Sequence, residues 1–280
     1  MFLGVILLAL AVVLSGCGFR KEPTSDAQVQ PVFPLTVRDA DGRRVLLQAI
    51  PKRVVTLDPG SVRILQAIGI KTQLLPSSTK LDSLTRQKVD LIVLPASVSS
   101  ATASALTKKL GVPTFVYAGT ALTPIEHVAL ELGIATGNTA AGEQVALRLR
   151  GKRQDLATRL KGLDRPKVFI DVIGLGVPPA PDSLLATIVR LAGGRLVGTS
   201  DVSTSLSPAR LAKLDPDWFV TTRKTGLTLA RLRTLPRMAK LRAIREGHFM
   251  ILDESLVQPD DRAYGLVRSL ARRLHPDAFS

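Results

Sequence analysis

The fold is decided by a stretch near the middle of the chain, residues 138–162, which reads NTAAGEQVALRLRGKRQDLATRLKG. Its apolar residues recur at intervals of four, seven and four, which places them on one face of an α-helix: Val145, Leu149, Leu156 and Leu160. Its basic residues fall on the other faces: Arg148, Lys152, Arg153 and Arg159. Asn138 or Thr139 can cap the start, and Gly162 supplies a stop.

Such a helix is longer than the usual connection within one sheet. About 23 helical residues would extend roughly 34 Å, as long as a small domain is wide. One interpretation is a long crossover helix within a single sheet. The length of the helix favours a second interpretation, in which the helix is a strut (residues 138–162) that joins two lobes and leaves a cleft between them.

On both sides of the strut, short apolar runs alternate with amphipathic segments, a pattern typical of α/β layers with parallel strands. The first half predicts strands at 53–57, 90–94 and 113–117, and helices at 60–68, 99–110 and 124–133. The second half predicts strands at 167–173, 217–221 and 248–252, helices at 182–192, 208–213 and 261–274, and helical turns through 229–244. The lobes are therefore assigned to residues 35–137 and 163–280.

The two halves also resemble each other. The run PKRVV at 51–55 is echoed by PKVFI at 166–170, and VDLIV at 89–93 by PDWFV at 216–220. The spacings differ between the halves, so the sequence indicates similar architecture and not a tandem repeat.

The amino terminus has the composition of a secretion signal. Residues 1–14 are uninterrupted apolar residues, which as a helix would rise about 21 Å, short of the roughly 30 Å of a bilayer core. Residues 1–16 therefore fit a signal peptide. Cys17, the only cysteine, follows Leu-Ser-Gly as in a bacterial lipobox, and we predict its lipidation, with the polar, proline-containing residues 17–34 as a tether. The alternative is an ordinary cleaved signal with an incidental cysteine.

The charge is strongly positive, with 38 basic against 23 acidic residues and a net charge of +15. This excess predicts attraction to anionic lipid headgroups or to an anionic ligand. Nucleic acid is not expected as a partner, because the basic residues are scattered over helices without interleaved aromatic residues for base stacking.

Several short motifs, in order, resemble one known family. They are LTVRDADGR at 35–43, PKRVVTL at 51–57, LQAIG at 65–69, KLGVP at 109–113, LAGG at 191–194, LDPD at 214–217 and LHP at 274–276. From about residue 33 to residue 276 the chain is similar to the binding proteins that carry vitamin B12, ferric siderophores and haem to ABC importers.

The resemblance implies an α/β fold with two Rossmann-like lobes joined by one long rigid helix, the bilobal periplasmic-binding-protein fold. It implies a monomer in the cell envelope that is a carrier and not an enzyme. Its partners would be a small-molecule ligand in the interlobe cleft, an ABC permease, and the membrane through the lipid anchor. No cofactor or resident metal is expected, since His127, His248 and His275 have no metal-ligand spacing.

Ligands of open α/β sheets bind at the carboxyl ends of the strands. That rule nominates the loops at 58–61, 95–97, 119–120, 174–177, 222–224 and 254–258. The candidate ligand-binding residues are Asp58, Gly60, Ser61, Ser97, Tyr117, Gly119, Thr120, Gly174, Leu175, Arg223, Lys224 and Gln258. Arg223 and Lys224 would anchor an anionic group of the ligand; the alternative is that they are solvated loop residues. Tyr117 is the candidate axial ligand if the bound molecule is haem.

The sequence departs from the family at two positions. The resemblance implies one glutamate per lobe that docks with arginines of the permease, but Arg63 and Ala209 stand at the aligned positions. Like charges across an interface cost several kcal/mol. Two hypotheses follow: the permease has compensated, or the chain is a non-transport envelope lipoprotein that keeps the fold for structural or partner-binding use. An enzyme is a third and weaker hypothesis, since no catalytic set stands out.

Overall fold

The computed structural model describes residues 31–56, 59–70, 84, 88–117, 125–174, 176–199, 205–253, 256–257 and 262–280. The predicted signal peptide, Cys17 and most of the predicted tether lie outside these residues. The first strands of the described chain form an antiparallel hairpin of β1 (Leu35–Arg38) and β2 (Arg44–Leu47). Val37, Val45 and Leu47 on one face of the hairpin are buried.

The first lobe contains a parallel sheet with the strand order β3-β4-β5. Its strands are β3 (Val54–Thr56), β4 (Leu91–Pro95) and β5 (Thr114–Tyr117). Its helices are α1 (Pro59–Ala67), α2 (Ser100–Leu110) and α3 (Ile125–Ala135). The strands read as continuous apolar runs because helices cover both faces of a parallel sheet.

The strut is a single helix, α4 (Thr139–Arg159), of 21 residues, which corresponds to a length of about 31 Å. Val145, Leu149 and Leu156 are buried in a core that continues into both lobes. Asn138 occupies the N-cap position, one of the two that the sequence predicts, but its side chain makes no capping hydrogen bond, and its Nδ2 donates to the carbonyl of Thr136.

The second lobe contains a parallel sheet with the strand order β7-β6-β8-β9. Its strands are β6 (Lys167–Asp171), β7 (Arg195–Leu196), β8 (Trp218–Thr222) and β9 (Phe249–Leu252). Its helices are α5 (Leu184–Leu191), α6 (Pro208–Leu214), α7 (Leu229–Thr234), α8 (Arg242–Glu246) and α9 (Ala263–Leu274). The predicted helical turns at 229–244 form two short helices, because Pro236 lacks the amide hydrogen that a continuous helix needs. Strand β7 was not predicted, since two residues carry no periodic signal.

The similarity between the halves has a structural cause. In the first lobe the carboxylate of Asp90 accepts hydrogen bonds from the backbone amides of Lys52 and Arg53, both at 2.9 Å. In the second lobe Asp217 accepts from the amide of Lys167 at 2.6 Å. Each aspartate, just before a central strand, therefore fixes the start of the neighbouring strand.

The two sheets share no strand in the described part of the chain, so the interpretation as a single sheet spanning both halves is wrong. The predicted fold class, two α/β lobes joined by one long helix, is confirmed. No helix among the described residues has both the length and the apolar content to cross a membrane.

Candidate functional site

The loop that follows β6 is organised by the buried side chain of Asp171. Its Oδ1 accepts hydrogen bonds from the amides of Ile173 and Gly174 at 3.3 and 2.8 Å, and its Oδ2 accepts one from the amide of Gly176 at 3.2 Å. Gly174 and Gly176 have φ values of +84° and +72°, which favour glycine. These hydrogen bonds and φ values fix the shape of the loop, which presents Ile173 with 58 % of its surface exposed.

The loop that follows β8 is tied to this first loop by threonine hydroxyls. Thr221 Oγ1 donates to the carbonyl of Asp171 at 3.2 Å, and Thr222 Oγ1 donates to the carbonyl of Val172 at 3.1 Å. Thr225 packs so closely that a Cβ on Gly174 would lie 3.3 Å from the Thr225 Cβ. The two loops therefore form one wall at the carboxyl edge of the second sheet. We call it the cleft wall (residues 172–174 and 222–225), after the interlobe cleft that the sequence predicts.

The cationic candidates lie on this cleft wall, directly after β8. The side chain of Arg223 is 72 % exposed, and its Nε lies 3.5 Å from Oδ2 of Asp253. Lys224 is also exposed. Solvent screens an ion pair of this kind, so it stabilises the fold little. Asp253, which sequence reasoning missed, nevertheless offsets part of the positive charge that a ligand would meet.

Two residues of the first lobe that the sequence predicts as ligand contacts, Ser61 and Tyr117, have buried side chains. Ser61 is 0 % exposed, and its Oγ lies 2.6 Å from Oγ1 of Thr56. Tyr117 is 1 % exposed and belongs to the hydrophobic core. Both side chains are buried in this structure, and their role as ligand contacts, including Tyr117 as a haem ligand, stays a prediction. Gly60 is buried in the first turn of α1, whereas Ser97 is exposed after β4.

The other nominated positions lie outside the described residues. They are Asp58, Gly119, Thr120, Leu175 and Gln258. Their role in ligand binding stays a prediction.

The aligned docking positions lie on two helices, one in each lobe. Arg63 is half-buried on α1, and Ala209 is exposed in the first turn of α6. Arg210 and Lys213 are exposed on the same helix as Ala209. Both positions therefore lack the negative charge that the family resemblance implies.

The three histidines occupy separate environments. His127 is exposed on α3, His248 stacks on Trp218 with ring centroids 4.9 Å apart, and His275 is buried. In the part of the chain that the structure describes, no three histidine, cysteine, aspartate or glutamate side chains are grouped as metal ligands.

A buried polar cluster joins the strut to both lobes, and sequence reasoning missed it. Glu126 on α3 is 1 % exposed. Its Oε1 accepts from Arg153 Nε of the strut at 2.7 Å, and its Oε2 accepts from Tyr264 Oη of α9 at 3.0 Å. The sequence predicts Arg153 on a face other than the apolar one, and the structure shows it partly exposed, with its guanidinium paired with Glu126 because a buried carboxylate needs a charged partner. We call Glu126, Arg153 and Tyr264 the strut cluster.

The ionisation of the strut cluster follows from its burial and hydrogen bonds. Burial opposes ionisation of Glu126, but hydrogen bonds from a backbone amide, Arg153 and Tyr264 outweigh it and hold the pKa of Glu126 below its ordinary value. Burial, reinforced by the negative charge of Glu126, raises the pKa of the Tyr264 hydroxyl. Tyr264 therefore stays protonated and donates to a carboxylate, which ties α3, α4 and α9 together.

Comparison with known proteins agrees with this architecture. No protein-family model matches the chain. The chain is 25 % identical over 266 residues to a cobalamin-binding protein of Halobacterium salinarum, covering 82 % of this chain and 70 % of that protein. It is 22 % identical over 309 residues to an uncharacterised ABC transporter substrate-binding lipoprotein, YvrC, of Bacillus subtilis, covering 98 % of this chain and 96 % of that protein.

A solved structure shows the same fold. A periplasmic solute-binding protein of Veillonella parvula superposes with a TM-score of 0.71 at 13 % identity, covering 88 % of each chain. The resemblance to substrate-binding proteins of ABC importers, which the sequence motifs predicted, is confirmed.

Proposed function

We propose that this chain is the solute-binding component of an ABC importer. In this role it is an extracytoplasmic lipoprotein, anchored at Cys17, that captures a ligand between its lobes and delivers it to a permease. The observation that carries the proposal is the pair of separate parallel sheets joined by one 21-residue helix. The cleft wall follows the carboxyl ends of β6 and β8, and ligands of open α/β sheets bind at such ends.

The rigidity of the site supports capture and release of a ligand. The cleft wall is fixed by the hydrogen bonds of Asp171 and of the threonine hydroxyls. The strut cluster ties both lobes to α4. A preformed wall on a stiff frame loses little conformational entropy when ligand binds, which suits a carrier that binds and later releases its cargo unchanged.

The ligand class is proposed from the relatives together with the chemistry of the wall. One relative is named a cobalamin-binding protein, and the proposed class is the iron-siderophore, cobalamin or haem class. The wall combines the exposed aliphatic side chain of Ile173 with the cation of Arg223. This pairing suits a ligand with apolar surface and an anionic edge.

The direct test is native mass spectrometry of the full chain purified from its own source, which should reveal a co-purifying small molecule. Thermal unfolding with added cyanocobalamin, haem or a ferric siderophore should show stabilisation by one of them, since a ligand that binds the native state raises its stability. The proposal would be contradicted by a folded protein that carries no small molecule and whose thermal unfolding is changed by none of the three added ligands.

A matched pair of variants tests the cleft wall. Ile173→Ser removes an apolar side chain that is 58 % exposed on the wall, and Leu147→Ser removes one that is 62 % exposed on the strut. The first should weaken ligand binding about tenfold, the scale of one buried aliphatic contact. The second should leave binding unchanged. Equal effects would place the ligand elsewhere.

The second candidate function is a non-transport envelope lipoprotein, and the residues at the docking positions favour it. Arg63 and Ala209 cannot pair with arginines of a permease. A permease encoded beside this chain, with acidic residues at its docking surface, should be retained by the immobilised full chain, and Arg63→Glu should abolish that retention. Failure to retain any such permease, together with absence of a bound small molecule, would favour the second function.

A further inference from the structure

Three exposed arginines cluster at the amino-terminal edge of the second sheet, away from the cleft wall. Arg165 lies two residues before β6, and Arg195 begins β7, where it pairs with Lys167. Arg190 lies in the last turn of α5. All three side chains are exposed, and together they are referred to as the arginine surface.

The arginine surface lines two adjoining depressions. One has a volume of about 230 Å³ and is lined by all three arginines together with Thr199. The other, of about 390 Å³, shares Arg165 and Arg190. Its apolar wall is made of leucines from the strut, the loop after it and α5: Leu156, Leu160, Leu163 and Leu191. A cationic depression thus continues into an apolar one.

None of the three arginines forms an ion pair within the described part of the chain, although Arg165 also borders a third depression that contains Asp164, Asp217 and Asp277. Arg165 Nη2 donates to the carbonyls of Gly194 at 3.0 Å and Arg190 at 3.4 Å, and Arg190 Nη2 donates to Thr187 Oγ1 at 2.9 Å. Carbonyls and hydroxyls orient a guanidinium without cancelling its charge. No carboxylate lines either depression among the described residues, and the described ion pairs include none of the three arginines.

We propose that the arginine surface binds the headgroup of an anionic phospholipid. Guanidinium groups match the geometry of phosphate oxygens, so the smaller depression suits the phosphate. The leucine wall suits the glycerol and the first methylenes of the acyl chains, which a free phosphate ion does not possess. The net charge of +15 draws the protein towards an anionic bilayer before this contact forms.

The position of the surface separates this binding from ligand capture. Strands β6, β7 and β8 are parallel, so their amino ends lie at one edge of the sheet and the cleft wall at the other. A protein held at a bilayer through the arginine surface turns its second-lobe cleft wall away from the lipid. Lipid binding and ligand binding are therefore compatible, and neither depends on the other.

The test is hydrogen–deuterium exchange of the full chain reconstituted in vesicles. Vesicles of phosphatidylcholine are compared with vesicles that also contain phosphatidylglycerol. Backbone amides at 160–165 and 187–199 should exchange more slowly with the anionic lipid, while those of the cleft wall should not change. The combined variant Arg165→Gln, Arg190→Gln, Arg195→Gln should lose this protection. Each arginine contributes about fivefold to binding at an anionic surface, so the loss in affinity is about a hundredfold.

Two controls make the result specific. The combined variant Arg231→Gln, Arg237→Gln, Arg245→Gln removes three exposed arginines of the same lobe, and it should keep the protection. Inorganic phosphate added to phosphatidylcholine vesicles should give none. Equal loss of protection from exchange in both combined variants would show that only the net charge matters. Protection by inorganic phosphate alone would identify free phosphate as the ligand. Either result would overturn the proposal.

The fold of the variants is checked in the same experiment by exchange in β6 and β8. If the first combined variant does not fold, Arg195→Gln alone serves, because its side chain makes none of the described hydrogen bonds. It should weaken protection about fivefold. Full protection in that variant would refute a role for the smaller depression.

Discussion

Two glycines in the strut should respond in opposite directions to the same substitution. Gly142 and Gly151 both lie within α4. A Cβ on Gly142 would lie 2.7 Å from the carbonyl oxygen of Ala129 and 2.9 Å from Cα of Gly133, both on α3. A Cβ on Gly151 would meet nothing within 4 Å. Gly142→Ala and Gly151→Ala therefore add the same methyl group to a packed and to an open position of one helix.

The expected magnitudes follow from helix propensity and packing. Alanine is about 1 kcal/mol more favourable than glycine in a helix interior, so Gly151→Ala should raise the free energy of unfolding by up to that amount. Gly142→Ala gains the same propensity, but overpacking costs about 1–3 kcal/mol. The obstructing atoms belong to the backbone, so only separation of α3 from α4 relieves them. We expect the overpacking cost to lie at the upper end of its range, so the free energies of unfolding of the two variants should differ by about 2–3 kcal/mol.

Urea unfolding of the full chain, followed by circular dichroism, measures the difference. The midpoint should rise for Gly151→Ala and fall for Gly142→Ala, with the denaturant slope unchanged in both, since the surface exposed on unfolding is nearly the same. Gly133→Ala, which approaches the same crossing from α3, should resemble Gly142→Ala. If Gly142→Ala stabilises the chain as much as Gly151→Ala does, the close crossing of α3 and α4 does not exist.

Three further predictions concern the second lobe and the strut cluster. Tyr264→Phe removes a donor from buried Glu126 and should cost about 1–3 kcal/mol of unfolding free energy; a urea midpoint equal to that of the parent would contradict this. Burial lowers the pKa of His275 below its ordinary 6.5, so the neutral ring is favoured in the folded state. The free energy of unfolding that this provides above pH 6.5 should therefore be lost as the pH falls below 6.5. His275→Gln should flatten that pH dependence, and an unchanged slope would assign the effect to other groups. A Cβ on Gly193 would lie 2.6 Å from Nε2 of His275, whereas Gly162 has a similar positive φ and open space around it. Gly193→Ala should therefore lower the thermal midpoint more than Gly162→Ala. Equal decreases would mean that only the backbone strain of about 1–2 kcal/mol acts at both positions.

Secondary structure could be predicted well because it depends on local spacing. The four leucine and valine positions of the strut lie four, seven and four residues apart, and three of them are buried in the core. The alternation on both sides predicted strands that the structure places within one or two residues for most elements. The exceptions are β7, which is too short for a periodic signal, and the break at Pro236.

The candidate site could be predicted only in part. The rule for strand ends nominated Gly174 and Arg223, which lie on the cleft wall, and their role in ligand binding stays a prediction. The same rule nominated Ser61 and Tyr117, which are buried. A strand-end position says which edge of the sheet a residue occupies, but the burial of its side chain depends on what packs over it.

The sequence by itself determined the class of fold, since a long amphipathic helix between two alternating halves is a property of residues near one another in the chain. Only the tertiary structure decided what the helix touches. Arg153 meets Glu126 across 27 positions, and Glu126 meets Tyr264 across 138. Contacts over such distances leave no periodic trace, because they arise when separately formed elements pack and buried charges acquire partners.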